Sequence, residues 1–321
     1  MRVAGSWLLP LSILLVACAT DDSDKADGGG GKPPDAKVVT PDQKLLPDVR
    51  PAGIYRVAAI QYASDQFAAV DKSCKDDVCA LSKLVEQAAS KGAQLVVAPE
   101  YATGQKVTEL TPQIGDRISD DQRWADGTIT KTFGRLADRL DATVVFNLIT
   151  QDDPDDSKAK LFNTSVAVDP DGKVVARHFK MELFGGESKD MTAGSSIETS
   201  FFDTPVGKAG LLICADAQCI VTNLSPGPSC SSHVPKLLLD YFSNKKPKLV
   251  AFSAYWTVGS GIWGSMAVQK KIAKDGTAWV VGANTTEGDG KGGGIWKPGG
   301  EEAATTTDGK FSIQMWDIPL K

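Results

Sequence analysis

The chain has 321 residues, 42% hydrophobic and 23% charged, which are ordinary values for a globular protein of one large domain or two small ones. A formal net charge of −5 offers no basic surface to a phosphate backbone, so no nucleic acid is expected as a partner. The two histidines, His178 and His233, limit metal chemistry, and no Cys/His cluster has zinc-ligand spacing; the reading carries no metal and no organic cofactor.

The N-terminus reads as a targeting segment. Met1 and Arg2 precede an almost wholly apolar run over 3–16, shorter than the about 20 residues that a membrane span needs. The run ends in Leu15-Val16-Ala17-Cys18, which resembles the bacterial lipobox, where the Cys becomes the lipidated first residue of the mature protein. That resemblance implies a signal peptide over 1–17, palmitate on Cys18 and a lipid anchor in the bacterial cell envelope. Ala19 after the Cys implies the outer membrane. An ordinary secretory signal cut near Ala17 or Ala19 is the alternative. Residues 18–53 then form a tether: Gly28 to Gly31, Pro33, Pro34 and prolines at 41, 47 and 51 leave little to bury. The folded domain is expected over 54–321.

Within it, strand and helix patterns alternate. YRVAAIQY (55–62) is an apolar, β-branched strand, followed by a helix over 79–92 with Leu81, Leu84, Val85 and Ala88 on one face and Gly92 as its stop. QLVVA (94–98) is a second buried strand and ends at Pro99-Glu100. A helical stretch over 120–140 leads into the strand TVVFNLIT (143–150). Residues 163–180 read as a hairpin about Pro170-Asp171-Gly172. KAGLLIC (208–214) is a buried strand. Strands are also expected at 248–256, 278–285 and 310–317, and helices near 234–243 and 263–275. Such alternation with at least one hairpin predicts an α/β fold, and the strand content suits two stacked sheets between helical layers.

Three reactive side chains stand at comparable places. Glu100 ends QLVVAPE, Lys180 ends VVARHFK and Cys214 ends KAGLLIC. Open α/β sheets bind ligands at the carboxyl ends of strands, so the three can converge there. A carboxylate to take a proton, an ammonium and a thiol make a complete nucleophilic set, with Lys180 lowering the thiol pKa and stabilising an oxyanion. Taken singly, a Cys in GLLIC is a small core hydrophobe, and Lys or Glu at a strand end is a solvated group.

The local sequences resemble those of the nitrilase (carbon–nitrogen hydrolase) superfamily. LVVAPE (95–100) is similar to its first motif. RHFK (177–180), with Leu183-Phe184-Gly185-Gly186-Glu187 after it, is similar to the second. GLLICAD (210–216) is similar to the third, and Ser253-Ala254-Tyr255-Trp256 to a pocket-lining strand end. The resemblance covers about 54–317. It implies a four-layer αββα sandwich, with Glu100 as general base, Lys180 as oxyanion stabiliser and Cys214 as nucleophile. It further implies the Ala215 N–H as second oxyanion donor and Tyr255 and Trp256 as substrate-binding walls. Glu187 matches the second glutamate of many members, with Glu182 the competitor. The KxxLFxGE form looks most like the biotinidase and pantetheinase branch. Ala215 departs from the usual aromatic, and is expected to leave room beside the reacting carbon. After Asp216 the chain runs into a polar, Pro-rich loop to Cys230 in place of the Arg-Phe-Pro continuation.

The reaction implied is hydrolysis of a linear amide to carboxylate and amine through a Cys thioester, with a small-molecule amide as the partner and a homodimer left open. One competing reading is a Cys–His hydrolase using Cys214 with His178 or His233. Another is a catalytically inactive lipoprotein binding module of the same fold. If Cys18 carries lipid and Cys214 is a free thiol, four of the six cysteines remain to pair in an oxidising compartment. Local pairing, Cys74 with Cys79 and Cys219 with Cys230, is one of three connectivities.

Overall fold

A computed structural model describes residues 50–104, 108–118, 128–153, 159–220, 230, 234–257, 264–288, 292–307 and 309–320. All belong to one compact unit, Asp42–Lys321. The signal peptide, Cys18, most of the tether, His233 and most of the 219–230 loop lie outside the described residues.

The strands are β1 (Ile54–Gln61), β2 (Leu95–Val97), β3 (Thr108–Leu110), β4 (Thr143–Gln151), β5 (Leu161–Val168), β6 (Val174–Phe179), β7 (Phe201–Thr204), β8 (Gly207–Ile213), β9 (Leu249–Ser253), β10 (Trp279–Ala283), β11 (Gly293–Trp296), β12 (Glu302–Thr306) and β13 (Ser312–Pro319). The helices are α1 (Phe67–Val70), α2 (Asp77–Ser90), α3 (Ile129–Leu140), α4 (Glu187–Asp190), α5 (Asp216–Ile220), α6 (Val234–Ser243) and α7 (Ser265–Asp275). One sheet runs β13-β1-β2-β4-β5-β6, with β3 extending along β4; the other runs β12-β11-β10-β9-β8-β7. Each has three parallel strands at its centre, β1-β2-β4 and β8-β9-β10, flanked by antiparallel ones.

Side-chain alternation divides the core into three slabs. Val57, Ala59, Leu95, Val97 and Val145 of the first sheet meet Ala209, Leu211, Leu249, Ala251 and Val281 of the second. The opposite face of the first sheet, with Ile60, Val96, Val144 and Phe146, packs on Leu81, Leu84 and Val85 of α2 and Phe133 and Leu136 of α3. The opposite face of the second, with Leu212, Val250, Phe252 and Val280, packs on Ala217 of α5, Tyr241 of α6 and Val268 and Ile272 of α7. The layers are therefore helix, sheet, sheet, helix, the expected αββα sandwich.

The helices carry their own start signals. The Asp76 side chain accepts the Cys79 N–H at 2.7 Å and caps α2. Glu109 in β3 accepts the Ile129 and Thr130 N–H groups at 2.5 and 2.9 Å at the start of α3; of the stretch read as helix over 120–140, residues 120–127 lie outside the described residues. Strand β11 escaped the sequence reading because its glycines carry no apolar alternation. A Cβ on Gly293 would lie 2.6 Å from the Gly282 carbonyl oxygen, so the strand approaches β10 at a distance that only glycine allows. Disulfides join Cys74 to Cys79 and Cys219 to Cys230, while Cys214 is free. No helix among the described residues is long and apolar enough to cross a membrane.

Candidate active site

The two sheets are stitched together where their parallel strands end. The hydroxyl of Ser253, the last residue of β9, donates to the Ala98 carbonyl past β2 at 2.8 Å. Tyr62 N–H past β1 donates to the Asn284 carbonyl past β10 at 3.2 Å. Gln61 uses its amide on both the Gly282 carbonyl and the Asn284 N–H. The carboxyl ends of both strand sets thus share one rim, where open α/β sheets place ligands.

Glu100, Lys180 and Cys214 all emerge at this rim. Glu100 is 1% exposed. Its Oε1 accepts from Lys180 Nζ at 2.7 Å and from Asn163 Nδ2 at 2.7 Å. Its Oε2 accepts the Tyr255 N–H at 2.7 Å. Lys180 Nζ also donates to Glu187, 2.9 Å from Oε1 and 2.8 Å from Oε2. Of the two glutamates weighed for the second position, Glu187 is the one paired with Lys180. Glu182 is buried, with its backbone N–H held by Asp216.

Cys214 stands in the turn between β8 and α5, with φ 38°, and donates its N–H to the Ser253 carbonyl at 2.9 Å. Its Sγ lies 4.0 Å from the Tyr255 carbonyl oxygen. Tyr255 therefore touches both the base and the nucleophile, through its N–H and its C=O. Tyr101, beside Glu100, is the other left-handed non-glycine residue here, with φ 58°. Left-handed backbone costs a side-chain-bearing residue free energy and concentrates at functional sites. The glycine of GLLIC has a packing role: a Cβ on Gly210 would lie 2.1 Å from the Tyr241 hydroxyl of α6.

Three residues absent from the sequence reading complete the network. Asn147 accepts the Tyr101 N–H at 2.9 Å and donates to Asn163 Oδ1 at 2.7 Å. Asn163 bridges the two glutamates, 2.7 Å from Glu100 and 3.1 Å from Glu187. The Tyr101 hydroxyl donates to Glu187. Both asparagines lie inside buried strands, where a polar side chain must find partners, but which partners they find depends on cross-strand register.

The charges set the proton inventory. Burial raises the Cys214 thiol well above its ordinary pKa, and the Glu100 charge raises it further; Lys180 acts in the opposite direction and does not prevail. Lys180 thus acts on the thiol in the expected direction, and burial with the Glu100 charge outweighs it. Burial pulls the Lys180 pKa down, but Glu100, Cys214 and Glu187 together hold it well above its usual value. Glu187 sits below the ordinary carboxylate range, because Lys180 and the donors Tyr101 and Phe184 N–H outweigh its burial. The Tyr255 phenol is pushed up to about 12, by burial first and then by Glu287, to which it donates.

Trp256 belongs to the packed cluster that also holds Cys214. It is 4% exposed and packs in the outer slab against Phe252, with ring centroids 6.4 Å apart. Adjacent residues of an extended chain face opposite ways, so Tyr255 at the rim directs its neighbour into the core. Ala215 is buried next to Cys214, so its methyl group is enclosed rather than open to solvent. Both ring nitrogens of His178 are engaged elsewhere, Nδ1 with Ser200 Oγ and Nε2 with Asp216 Oδ2, each at 2.8 Å. The Cys214–His178 pair is therefore not formed.

The carbon-nitrogen hydrolase family profile matches residues 56–220, from β1 through Cys214 to the end of α5, and the chain belongs to that family. Omega-amidase NIT2-B of Xenopus laevis is 29% identical over 150 residues, 44% of this chain and 50% of the relative. The chloroplastic omega-amidase of Arabidopsis thaliana is 28% identical over 190 residues, 56% and 49% of the two chains. The chain spans about half the length of these curated relatives. They carry omega-amidase names, which withdraws the finer placement in the biotinidase and pantetheinase branch. Among solved structures, Saccharomyces cerevisiae Nit3 superposes with a TM-score of 0.60 at 16% identity, over 83% of this chain and 90% of that one. An amidase from Nesterenkonia sp. superposes with a TM-score of 0.60 at 16% identity, over 84% and 92%. These two likenesses concern the fold.

Proposed function

We propose that the protein hydrolyses the C–N bond of a linear carboxamide, with Cys214 as nucleophile, Glu100 as general base and acid, and Lys180 as oxyanion stabiliser. The observation that carries this reading is the position of Glu100. One of its oxygens rests on Lys180, the other on the N–H of Tyr255, whose carbonyl lies beside the Cys214 thiol. Glu100 accepts the thiol proton as sulfur attacks the carbonyl carbon. The carbonyl π pair moves onto oxygen, where the Lys180 ammonium and the Ala215 N–H stabilise it. Collapse breaks the C–N bond, the amine leaves with the proton from Glu100, and a thioester remains. Water then loses a proton to Glu100 and attacks the thioester. Breaking the C–S bond frees the acid, and the sulfur recovers its proton from Glu100.

The omega-amidase names of the relatives support an amide over a nitrile. So does a mutant of the Nesterenkonia amidase that carries the acetamide moiety of fluoroacetamide at its active-site cysteine. The test is turnover of a panel of linear amides, N-carbamoyl compounds and nitriles, with fluoroacetamide as a trapping probe. Release of amine from amides, and an acetamide adduct mapped to Cys214, are expected. Turnover of nitriles alone, or of N-carbamoyl amino acids alone, would overturn the amide assignment.

We also propose that the enzyme works tethered to the bacterial envelope by lipid on Cys18, on the strength of the LVAC run and the polar tether after it. Metabolic labelling with palmitate should mark the protein, and Cys18→Ser should remove the mark. Unlabelled wild-type protein free in the periplasm would favour an ordinary secretory signal.

A further inference from the structure

Outside the network above, the most elaborate buried polar cluster is Ser200, His178 and Asp216, all three fully enclosed. The amide chemistry proposed above does not use it. Its hydrogen bonds nevertheless reach both halves of the site. Asp216 Oδ1 accepts the N–H groups of Met181 and Glu182, the two residues after Lys180, at 3.0 and 2.8 Å. Asp216 Oδ2 accepts the N–H of Ile213, the residue before Cys214, at 3.3 Å, and contacts His178 Nε2 at 2.8 Å. His178 lies two residues before Lys180 on β6. Its other nitrogen meets the Ser200 hydroxyl, and the Ser200 carbonyl accepts the Leu211 N–H of β8 at 2.9 Å.

One imidazole and one carboxylate therefore join the chain on both sides of Lys180 to the strand that ends in Cys214, across the gap between two different sheets. A carboxylate in a dry interior needs its donors, and each bond here has a fixed direction. We propose that His178, with Asp216 and Ser200, is a positioning residue that fixes the Lys180 ammonium relative to the Cys214 sulfur. Without the ring, Asp216 loses its side-chain partner and a cavity opens beneath β6, so Lys180 is no longer held in register with the nucleophile. Supporting groups of this kind commonly change activity by about 10–100-fold when removed, although they touch no substrate.

The inference rests on the Glu100–Lys180–Cys214 reading, so its test includes a measurement that needs no amide turnover. In the full-length protein, His178→Ala should lower kcat by about 10–100-fold while KM stays within about twofold. Alkylation of Cys214 by iodoacetamide should slow several-fold, because a displaced Lys180 no longer favours the thiolate. His178→Gln, whose amide can donate toward Asp216, should recover most of both. Ser200→Ala removes one hydroxyl and leaves the ring, and guards against a His178→Ala chain that fails to fold. It should lower kcat several-fold at constant KM. Wild-type kcat and alkylation rate in every folded variant would overturn the clamp, as would a rise in KM alone. A wild type that turns over no amide, yet alkylates faster than His178→Ala, would refute the hydrolysis reading and retain the clamp.

Discussion

Replacing Lys180 by methionine is expected to remove measurable hydrolysis and to lower folding stability by about 3–5 kcal/mol. The stability loss follows from what remains. Glu100 and Glu187 would lose the cation that, among the described residues, pairs with both of them in a buried network. Methionine fills a similar volume, so cavity formation contributes little, and the loss reports uncompensated charge. Lys180→Met combined with Glu187→Gln should recover part of the stability and none of the activity. Denaturant unfolding across pH resolves the origin. Lys180 has a raised folded pKa, so its stabilisation is full below its unfolded value and is lost as pH rises through the folded one. Glu187 has a depressed folded pKa, so its stabilisation is present above its unfolded value and is lost as pH falls through the folded one. The wild type should therefore show a plateau bounded on both sides, and the variant should lack the alkaline decline and show a weaker acid one. A stability change under about 1 kcal/mol, the size of an exposed ion pair, would mean that the network is solvated.

How far this site could be read before the structure depended on the kind of residue. Glu100, Lys180 and Cys214 were legible because each closes an apolar strand, and a charged or reactive side chain there is a local anomaly. Asn163 and Asn147 were not, since their importance lies in cross-strand register: Asn147 pairs with Ser165 and Asn163 with Ile149, and only the twist of the sheet brings the two amides together. His178 reads as a candidate base because it lies two residues before Lys180, on the same face by alternation. Its partner, Asp216, lies 38 residues on, at the start of α5 after β8, a distance along the chain at which no periodicity argues. Strand β11 is not legible because close backbone approach through glycine leaves no hydrophobic pattern to follow, and β12, EAATT, carries no large apolar side chain.

The change with the largest effect on chemistry and the smallest on the fold should be Cys214→Ala. Hydrolysis is expected to fall by on the order of 10⁴-fold or more, since no other described residue is placed to form the acyl adduct. Stability should change by about 1 kcal/mol or less, for three physical reasons. The thiol is neutral at rest, because burial and Glu100 raise its pKa, so no buried charge is lost. Its contact to the Tyr255 carbonyl is long at 4.0 Å and weak for a sulfur donor. The left-handed backbone at φ 38° burdens alanine much as it burdens cysteine, and the N–H bond to Ser253 remains. Mass spectrometry of the wild type quenched during turnover of a slow amide should show an acyl group on Cys214, and the variant should show none on any residue. Stability is read by thermal unfolding of both proteins at one pH. Residual turnover of the variant at a tenth of the wild-type rate or more would place the nucleophile elsewhere. A large stability loss with no turnover would instead mean that the thiol also holds the β8–α5 turn in shape, and would tie the strained backbone at Cys214 to folding as well as to attack.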